Sequence, residues 1–164
     1  MSGPLLTAPG FWGKLPAAGD FVGRRLPAPF VRPWDRWVTR HLMPRLAGLD
    51  VLCFHARPPG APAMTGVVLP SADRAGRRFP LTLAAPLAGP ADPDWYPALA
   101  ALGRAGLDAP TLDARLLALP PPAGCAPTDA ALTLWTPGTP PGPADAETPG
   151  PVLDALLGAA TEAG

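Results

Sequence analysis

Proline sets the strongest limit on how this chain can fold, because 27 of its 164 residues are proline and 18 more are glycine. A proline inside a helix or a central strand removes a hydrogen-bond donor and disturbs the neighbouring backbone. Regular elements should therefore begin and end near prolines such as Pro16, Pro44 and Pro70. Hydrophobic residues still make up 48% of the chain, which excludes disorder throughout. The sequence predicts a folded protein whose prolines and glycines gather in loops.

The apolar patterns between these breakers predict one domain, residues 1–164, of the α/β class. They indicate an extended segment at 9–16, strands at 51–56, 63–69, 78–85 and 131–136, and helices at 29–43, 94–104, 111–119 and 152–159. Thr111 is the candidate N-cap of the third helix. Because the central strands lie close together in sequence, we expect a mixed, partly antiparallel central sheet flanked by helices in a three-layer sandwich.

The helix predicted at 29–43 has the clearest periodicity. Its apolar residues recur three and four positions apart and form one stripe, at Phe30, Trp34, Trp37, Val38, His41 and Leu42. Beside the stripe lies a row of arginines at Arg32, Arg36 and Arg40. This row is either a solvated face or a partner surface, since arginine is favoured at protein interfaces. Pro44 is expected to end or kink the helix.

The segment 137–151, PGTPPGPADAETPGP, is rich in proline and glycine. It is predicted to be a flexible or extended loop with no means of burying itself.

Charge is divided unevenly although the net charge is zero. Residues 1–80 carry eleven basic and four acidic side chains, whereas residues 81–164 carry two basic and nine acidic ones. Either the halves pair within one fold, or the first half offers a basic face to an acidic partner. A nucleic-acid-binding protein usually has a net basic charge and a recognisable reading module. This chain has neither, so nucleic acid is not an expected partner.

The expected cellular compartment follows from the membrane-span, secretion and disulfide signals that the sequence lacks. No apolar run reaches the length of about 18 residues that a membrane span needs, and the first residues do not have the pattern of a secretory signal. The two cysteines, Cys53 and Cys125, form neither a disulfide framework nor a zinc-binding spacing. We expect a cytoplasmic protein without membrane insertion.

Three arrangements of chemically active residues each have a structural alternative. The glycines and lysine of residues 10–14 resemble a phosphate loop, but their spacing is wrong and Pro16 removes an N–H donor. Cys53 and His55 should face the same side of a strand, and a buried core pair is favoured over a catalytic dyad. The few histidines and cysteines predict no metal site, and no cofactor or catalytic residue is assigned.

A cluster of aspartates and arginines is expected if two loops converge. Its members are Asp20, Asp35, Asp73, Arg24, Arg25, Arg74, Arg77 and Arg78. Paired carboxylates can serve acid–base chemistry, whereas ion pairs that hold loops to the sheet are the more common use of such residues. The sequence alone leaves both open.

Two segments of the chain resemble the TagF family of type VI secretion-associated proteins. Residues 10–21, GFWGKLPAAGDF, follow the family pattern Gly-aromatic-aromatic-Gly-Lys-apolar-Pro-x-x-Gly-Asp-Phe. Residues 70–81, PSADRAGRRFPL, follow the pattern Pro-Ser-x-Asp-x-x-Gly-Arg-x-Phe-Pro-Leu, and the helix carrying Trp34 and Trp37 lies between the two segments. The resemblance covers about residues 9–86. Beyond them only the general layout agrees.

The resemblance implies an α/β fold and a post-translational role, usually repression of secretion-system assembly. In some relatives this role is associated with a forkhead-associated scaffold protein, which is therefore a candidate partner. Some relatives are fused to a serine/threonine phosphatase domain. This chain is too short to include that domain, so any phosphatase would be a separate protein.

The leading interpretation is a non-enzymatic regulator that presents loops 13–25 and 70–80 to a protein of the secretion machinery. The residues expected to bind the partner or organise these loops are Trp12, Lys14, Asp20, Arg24, Asp73, Arg74 and Arg77. One alternative is an enzyme whose polar cleft contains Asp20, Asp73, Arg77 and His55. Another is a structural subunit of the secretion apparatus. The oligomeric state is left open by the sequence.

Overall fold

Seven strands form one sheet through residues 8–158, the part of the chain that the computed structural model describes. The strands are β1 Gly10–Gly13, β2 Val22–Arg24, β3 Leu52–Ala56, β4 Met64–Leu69, β5 Leu81–Pro86, β6 Leu132–Trp135 and β7 Gly142–Pro143. Their order across the sheet is β2-β1-β5-β4-β3-β6-β7. The N-terminal strands therefore form one edge of the sheet, and β7 lies at the other edge.

Every pairing among these seven strands is antiparallel. The predicted α/β class, a sheet flanked by helices, is confirmed, and the pairing is antiparallel throughout where it was expected to be so only in part. Short connections explain the pairing of β3, β4 and β5, because a short loop can join two strands only if they run in opposite directions. The predicted strand at 78–85 begins later, at Leu81, and Arg78 instead forms an isolated bridge with Ala72.

Helix α1, Ala28–Trp37, begins after Pro27 and contains the predicted apolar stripe. The sequence predicts that Pro44 ends or kinks the helix, and the type of helix changes beside it. The backbone stays helical through a π-helical turn, Val38–Leu42, and then a 3-10 helix, Met43–Gly48. Pro44 falls in the first turn of the 3-10 helix, where a backbone N–H has no acceptor within that helix, so a proline is accommodated there.

Three further helices follow, α2 Trp95–Arg104, α3 Ala109–Ala118 and α4 Gly150–Leu157. The predicted N-cap of α3, Thr111, is wrong. Asp108 is the cap, and its Oδ1 accepts the backbone N–H of Thr111 at 2.9 Å. Asp108 can begin the helix earlier because Pro110 fits the first turn. The last predicted helix was expected to reach Ala159, which lies outside the described residues.

The proline- and glycine-rich segment 137–151 is exposed over residues 137–141, whereas several of its later residues contact the fold. Strand β7 pairs with β6. The indole N–H of Trp37 donates to the carbonyl oxygen of Ala146 at 2.9 Å. Ala144 and Ala146 also pack against the core beneath α1. Two small side chains and a few backbone hydrogen bonds are enough to fix this path, and neither produces an apolar pattern in the sequence.

The sheet separates two apolar cores. Strand β5 shows the alternation, since Leu81, Leu83 and Ala85 belong to the core under α2 and α3, whereas Ala84 belongs to the core under α1 and α4. A helical layer therefore covers each face of the sheet, as the predicted three-layer arrangement requires. Within residues 8–158, no helix has the length and apolar character needed to cross a bilayer.

Candidate functional site

The loop between β4 and β5 is organised by the side chain of Asp73. Its Oδ1 accepts the backbone N–H groups of Ala75 and Arg77 at 3.0 and 2.9 Å. The backbone oxygen of Asp73 accepts the N–H of Gly76 at 2.9 Å. Gly76 has a φ of +82°, in the left-handed region that glycine adopts without strain. These contacts give a physical reason for the spacing of aspartate, glycine and arginine in this segment.

The same carboxylate joins loop 13–25 to loop 70–80. Asp73 Oδ2 lies 3.3 Å from Lys14 Nζ and 2.8 Å from Arg77 Nε. Nη2 of the same guanidinium donates to the carbonyl oxygen of Gly19, in the other loop, at 2.7 Å. We call Lys14, Asp73 and Arg77 the latch, because they hold loop 13–25 against loop 70–80.

Backbone contacts reinforce the latch. The N–H of Arg74 donates to the carbonyl oxygen of Ala18 at 2.7 Å. The hydroxyl of Ser71 donates to the carbonyl oxygen of Lys14 at 2.6 Å. The two loops therefore form one surface.

Opposing effects set the pKa of the Asp73 carboxyl. Burial of the side chain, which is 0% exposed, raises that pKa. Hydrogen bonds from the Arg77 backbone and from Lys14, together with the positive charges of both residues, lower it more. The net result is a pKa below the ordinary aspartate value, so Asp73 stays ionised where the latch needs its charge.

An aromatic side chain stands out of this surface. Phe21 is 42% exposed, although its ring stacks on Trp12 with centroids 5.6 Å apart. The rings of Phe21 and Phe79 meet edge to face with centroids 4.9 Å apart, and Lys14 Nζ lies 4.9 Å from the centroid of Phe21. Phe21 is thus held by three neighbouring side chains and still remains partly exposed to solvent.

The structure divides the predicted site residues into two groups. Lys14, Asp73 and Arg77 meet in the latch and are engaged with one another. The remaining four residues do not join it. Asp20 caps the N–H of its neighbour Phe21 at 2.7 Å, Arg24 donates to the adjacent Gly23 carbonyl at 2.8 Å, and the indole of Trp12 donates to Asp35 Oδ1 at 3.3 Å.

Arg74 is exposed, and its side chain forms no ion pair within residues 8–158. It is therefore available to a partner.

Ser71 and Phe79 are not among the predicted site residues, although each contributes to this surface. Both lie within the second family-like segment, and that position is the signal by which they could have been found.

The Cys53 and His55 pair is buried in the core, as the structural interpretation predicted. Burial raises the pKa of the Cys53 thiol to about 12, and it lowers the pKa of His55. His55 Nε2 lies 2.8 Å from the carbonyl oxygen of Leu87. Across residues 8–158, no three His, Cys, Asp or Glu side chains gather into a group that could hold a metal ion.

Comparison with known proteins identifies the family. A sequence model of the TagF N-terminal domain, described as type VI secretion system-associated, matches residues 10–109. The chain belongs to the TagF family. All three latch residues of this TagF chain fall within the matched region. The chain is therefore associated with the type VI secretion system, as its two sequence segments indicated.

A solved structure resembles the TagF chain. The crystal structure of PA0076 from Pseudomonas aeruginosa PAO1 matches it with a TM-score of 0.63 and 33% sequence identity. The match covers 72% of the TagF chain and 64% of the Pseudomonas protein, so the chain spans less than two thirds of that protein's length. No curated protein matches the TagF chain.

Proposed function

We propose that the chain is a cytoplasmic, non-enzymatic regulator of type VI secretion that acts after translation by binding a protein of the secretion machinery. Family membership supports the association with that machinery. The observation that carries the binding role is the exposed ring of Phe21, fixed by Trp12 and by a latch that orders both neighbouring loops. Ordered, partly apolar surfaces with arginine nearby are typical of protein interfaces.

We further propose that binding represses assembly of the secretion system, with a forkhead-associated scaffold protein as the candidate partner. Raising the amount of the chain in its host should then lower secretion of type VI effectors into the medium. Deleting its gene should raise that secretion. Opposite changes would make the chain an activator.

The binding surface is tested by affinity capture with paired variants. The tagged protein is immobilised, exposed to its native cytoplasm, and the recovered type VI components are quantified by mass spectrometry. Arg74→Glu should reduce their recovery at least tenfold, because Arg74 faces solvent beside the latch. Arg115→Glu makes the same charge change on α3, at another exposed position, and should leave recovery unchanged.

A second pair tests the aromatic contact. Phe21→Ser and Leu117→Ser each remove an exposed large apolar side chain, 42% and 40% exposed, but only Phe21 lies beside the latch. Recovery should fall for Phe21→Ser alone, with thermal unfolding used to verify that both variants are folded. Equal recovery from all four variants, or no type VI component from the folded wild type, would contradict the proposal.

The enzyme alternative has less support from the positions of its residues. Both oxygens of Asp73 are occupied by donors of the latch. His55 pairs with Thr65 near the start of β4, whereas Asp73 follows the opposite end of that strand, at Leu69. A structural subunit remains the other alternative, and stable incorporation into the purified apparatus at fixed stoichiometry would favour it.

A further inference from the structure

A hollow of about 470 Å³ lies between strand β2 and helix α1, beside the surface described above. Leu26 and Val31 supply apolar wall, and the indole of Trp12 and the backbone of Gly23 contribute from the sheet. Arg24 and Arg32 also line it, one from the strand and one from the helix. The hollow is therefore apolar inside and has a cationic group on each side.

The arginines that line this hollow differ in whether the described part of the chain supplies them with an acidic partner. Arg25 Nη2 lies 2.8 Å from the carboxylate of Asp113, so the chain itself supplies that arginine with an acidic partner. Within residues 8–158, neither Arg24 nor Arg32 has a carboxylate at ion-pairing distance, and both are exposed. Asp35 is the one acidic side chain lining the hollow, and it accepts the indole N–H of Trp12. The hollow keeps an excess of positive charge.

The walls are fixed by packing. A Cβ at position 23 would lie 2.7 Å from Cε3 of Trp12, so the lack of a side chain on Gly23 lets the indole pack closely against β2. Phe21 stacks on the same indole. A preformed wall of this kind lowers the entropy cost of binding.

The shape of a fitting occupant follows from the position of β2. This strand pairs with β1 on one side, and it is the outermost strand on that side of the sheet formed by the described residues. Extended peptides commonly bind beside such an outer strand. An occupant lying along β2 would bring alternate side chains toward the hollow.

We propose that this hollow binds an extended acidic segment of the protein partner, whose carboxylates contact Arg24 and Arg32 and whose apolar side chains cover Leu26 and Val31. The inference rests on the proposed function, since it specifies the chemistry of the partner that a binding regulator would recognise. The ion pair between Arg25 and Asp113 is an example, within this chain, of the contact between arginine and carboxylate that the proposal requires.

The test is a nuclear magnetic resonance titration of the full chain. The probe is a short acetylated peptide in which glutamate alternates with leucine or glycine, and the control peptide carries glutamine in place of every glutamate. The acidic peptide should produce saturable chemical-shift changes at the Gly23 amide and the Trp12 indole N–H. Its affinity should fall as the salt concentration is raised. The glutamine peptide should bind at least tenfold more weakly.

Paired variants locate the charge requirement. The double variant Arg24→Glu/Arg32→Glu should weaken binding of the acidic peptide at least tenfold. Arg36→Glu/Arg40→Glu reverses the same number of charges on exposed arginines outside the hollow and should change binding less than threefold. Equal losses from both double variants would show a diffuse charge effect and overturn the proposal.

Two other outcomes also overturn it. One is an absence of saturable shifts at Gly23 and Trp12. The other is a short single-stranded oligonucleotide that produces the same shifts at lower concentration than the peptide. Either result, combined with normal capture of type VI components by the wild type, would reject the acidic segment and leave the proposed function standing. If the folded wild type binds the acidic peptide but captures no type VI component, the proposed function is rejected instead.

Discussion

At the scale of the residue, the side chain of Asp73 contributes to the contact between two loops. It receives donors from Lys14, Ala75 and Arg77, and so links the start of the chain to the loop after β4. An asparagine has nearly the same shape, but it has one acceptor oxygen and no charge. Asp73→Asn therefore removes the negative charge of the latch together with one of its acceptor oxygens.

The pH dependence of this contribution has a definite sign. Because the pKa of Asp73 is lower in the folded chain than its ordinary value, the contribution is present above that ordinary value. It is lost as pH falls through the lowered pKa of the folded state. Asp73→Asn should unfold at a lower temperature than wild type near neutral pH and should lack this part of the acid-induced decline.

The measurement is the thermal unfolding midpoint across the acidic and neutral range. Asp129→Asn, at an exposed position, is the matched control. Identical profiles for wild type and Asp73→Asn would mean that the latch contributes no stability.

The two cysteines should differ sharply in reactivity, because Cys125 is exposed whereas Cys53 is buried with a pKa raised to about 12. The thiolate is the reactive form. A disulfide reagent at neutral pH should therefore modify Cys125 quickly and Cys53 only after unfolding. Cys125→Ser should abolish the fast phase and Cys53→Ser should retain it. Fast modification of two thiols in the folded wild type would contradict the buried position of Cys53.

At the scale of the element, α1 is fastened to the sheet by a buried hydrogen bond. The indole N–H of Trp34 donates to Thr82 Oγ1 on β5 at 3.0 Å. Trp34 also stacks on Phe54 of β3 with centroids 4.2 Å apart. The stripe on α1 thus positions the helix over the sheet, and the hydrogen bond selects one placement within that contact.

Thr82→Val tests this hydrogen bond, since valine has nearly the shape of threonine but no acceptor. The buried N–H of Trp34 would be left unsatisfied, which costs about 1–3 kcal/mol of unfolding free energy. Chemical denaturation should detect that loss. Thr39→Val, on the exposed side of the π-helical turn, should change stability by about 0.5 kcal/mol or less. Similar values for the two variants would show that the hydrogen bond does not matter.

Elements with a long periodic pattern could be predicted from the sequence, and short ones could not. The stripe of α1 has the period of a helix, and the apolar runs of β3 and β4 have the length and flanking breakers typical of buried strands. Strands β2 and β7 have three and two residues, too few for an alternating pattern. They form because β1 and β6 each have a strand edge with which they can pair. Those edges are a property of the assembled sheet and cannot be read from the short segments themselves.

The candidate site shows the same division. Lys14, Asp73 and Arg77 could be nominated from their residue types and from the family resemblance. Their meeting could not be predicted, because it depends on β1 pairing with β5 so that the two loops lie side by side. The open ring of Phe21 likewise follows from packing that no local pattern encodes.

At the scale of the whole molecule, residues beyond the matched family region complete the fold. Strand β6 pairs with β3, and Leu132, Leu134 and Leu153 are buried in the core beneath α1. Residues after position 109, where the family model ends, therefore contribute a strand to the same sheet and side chains to the same core.

Leu153→Ala tests that dependence. Leu153 is 0% exposed, so its truncation should leave a cavity and lower the unfolding free energy by about 2–5 kcal/mol. Leu117→Ala, at a position 40% exposed, should change it by about 0.5 kcal/mol or less. Both are measured by denaturant unfolding. A Leu153→Ala variant as stable as Leu117→Ala would show that α4 is dispensable for the folded state.

The strand order has a consequence for biosynthesis. Strand β1 lies between β2 and β5, so its second edge stays unpaired until the ribosome has made the residues up to Pro86. An unpaired strand edge is a template for pairing with other chains. A nascent chain that stalls before Leu81 therefore displays Gly10–Gly13 with a bare edge. Translation speed over the first half of the message should influence how much of this protein aggregates as it is made.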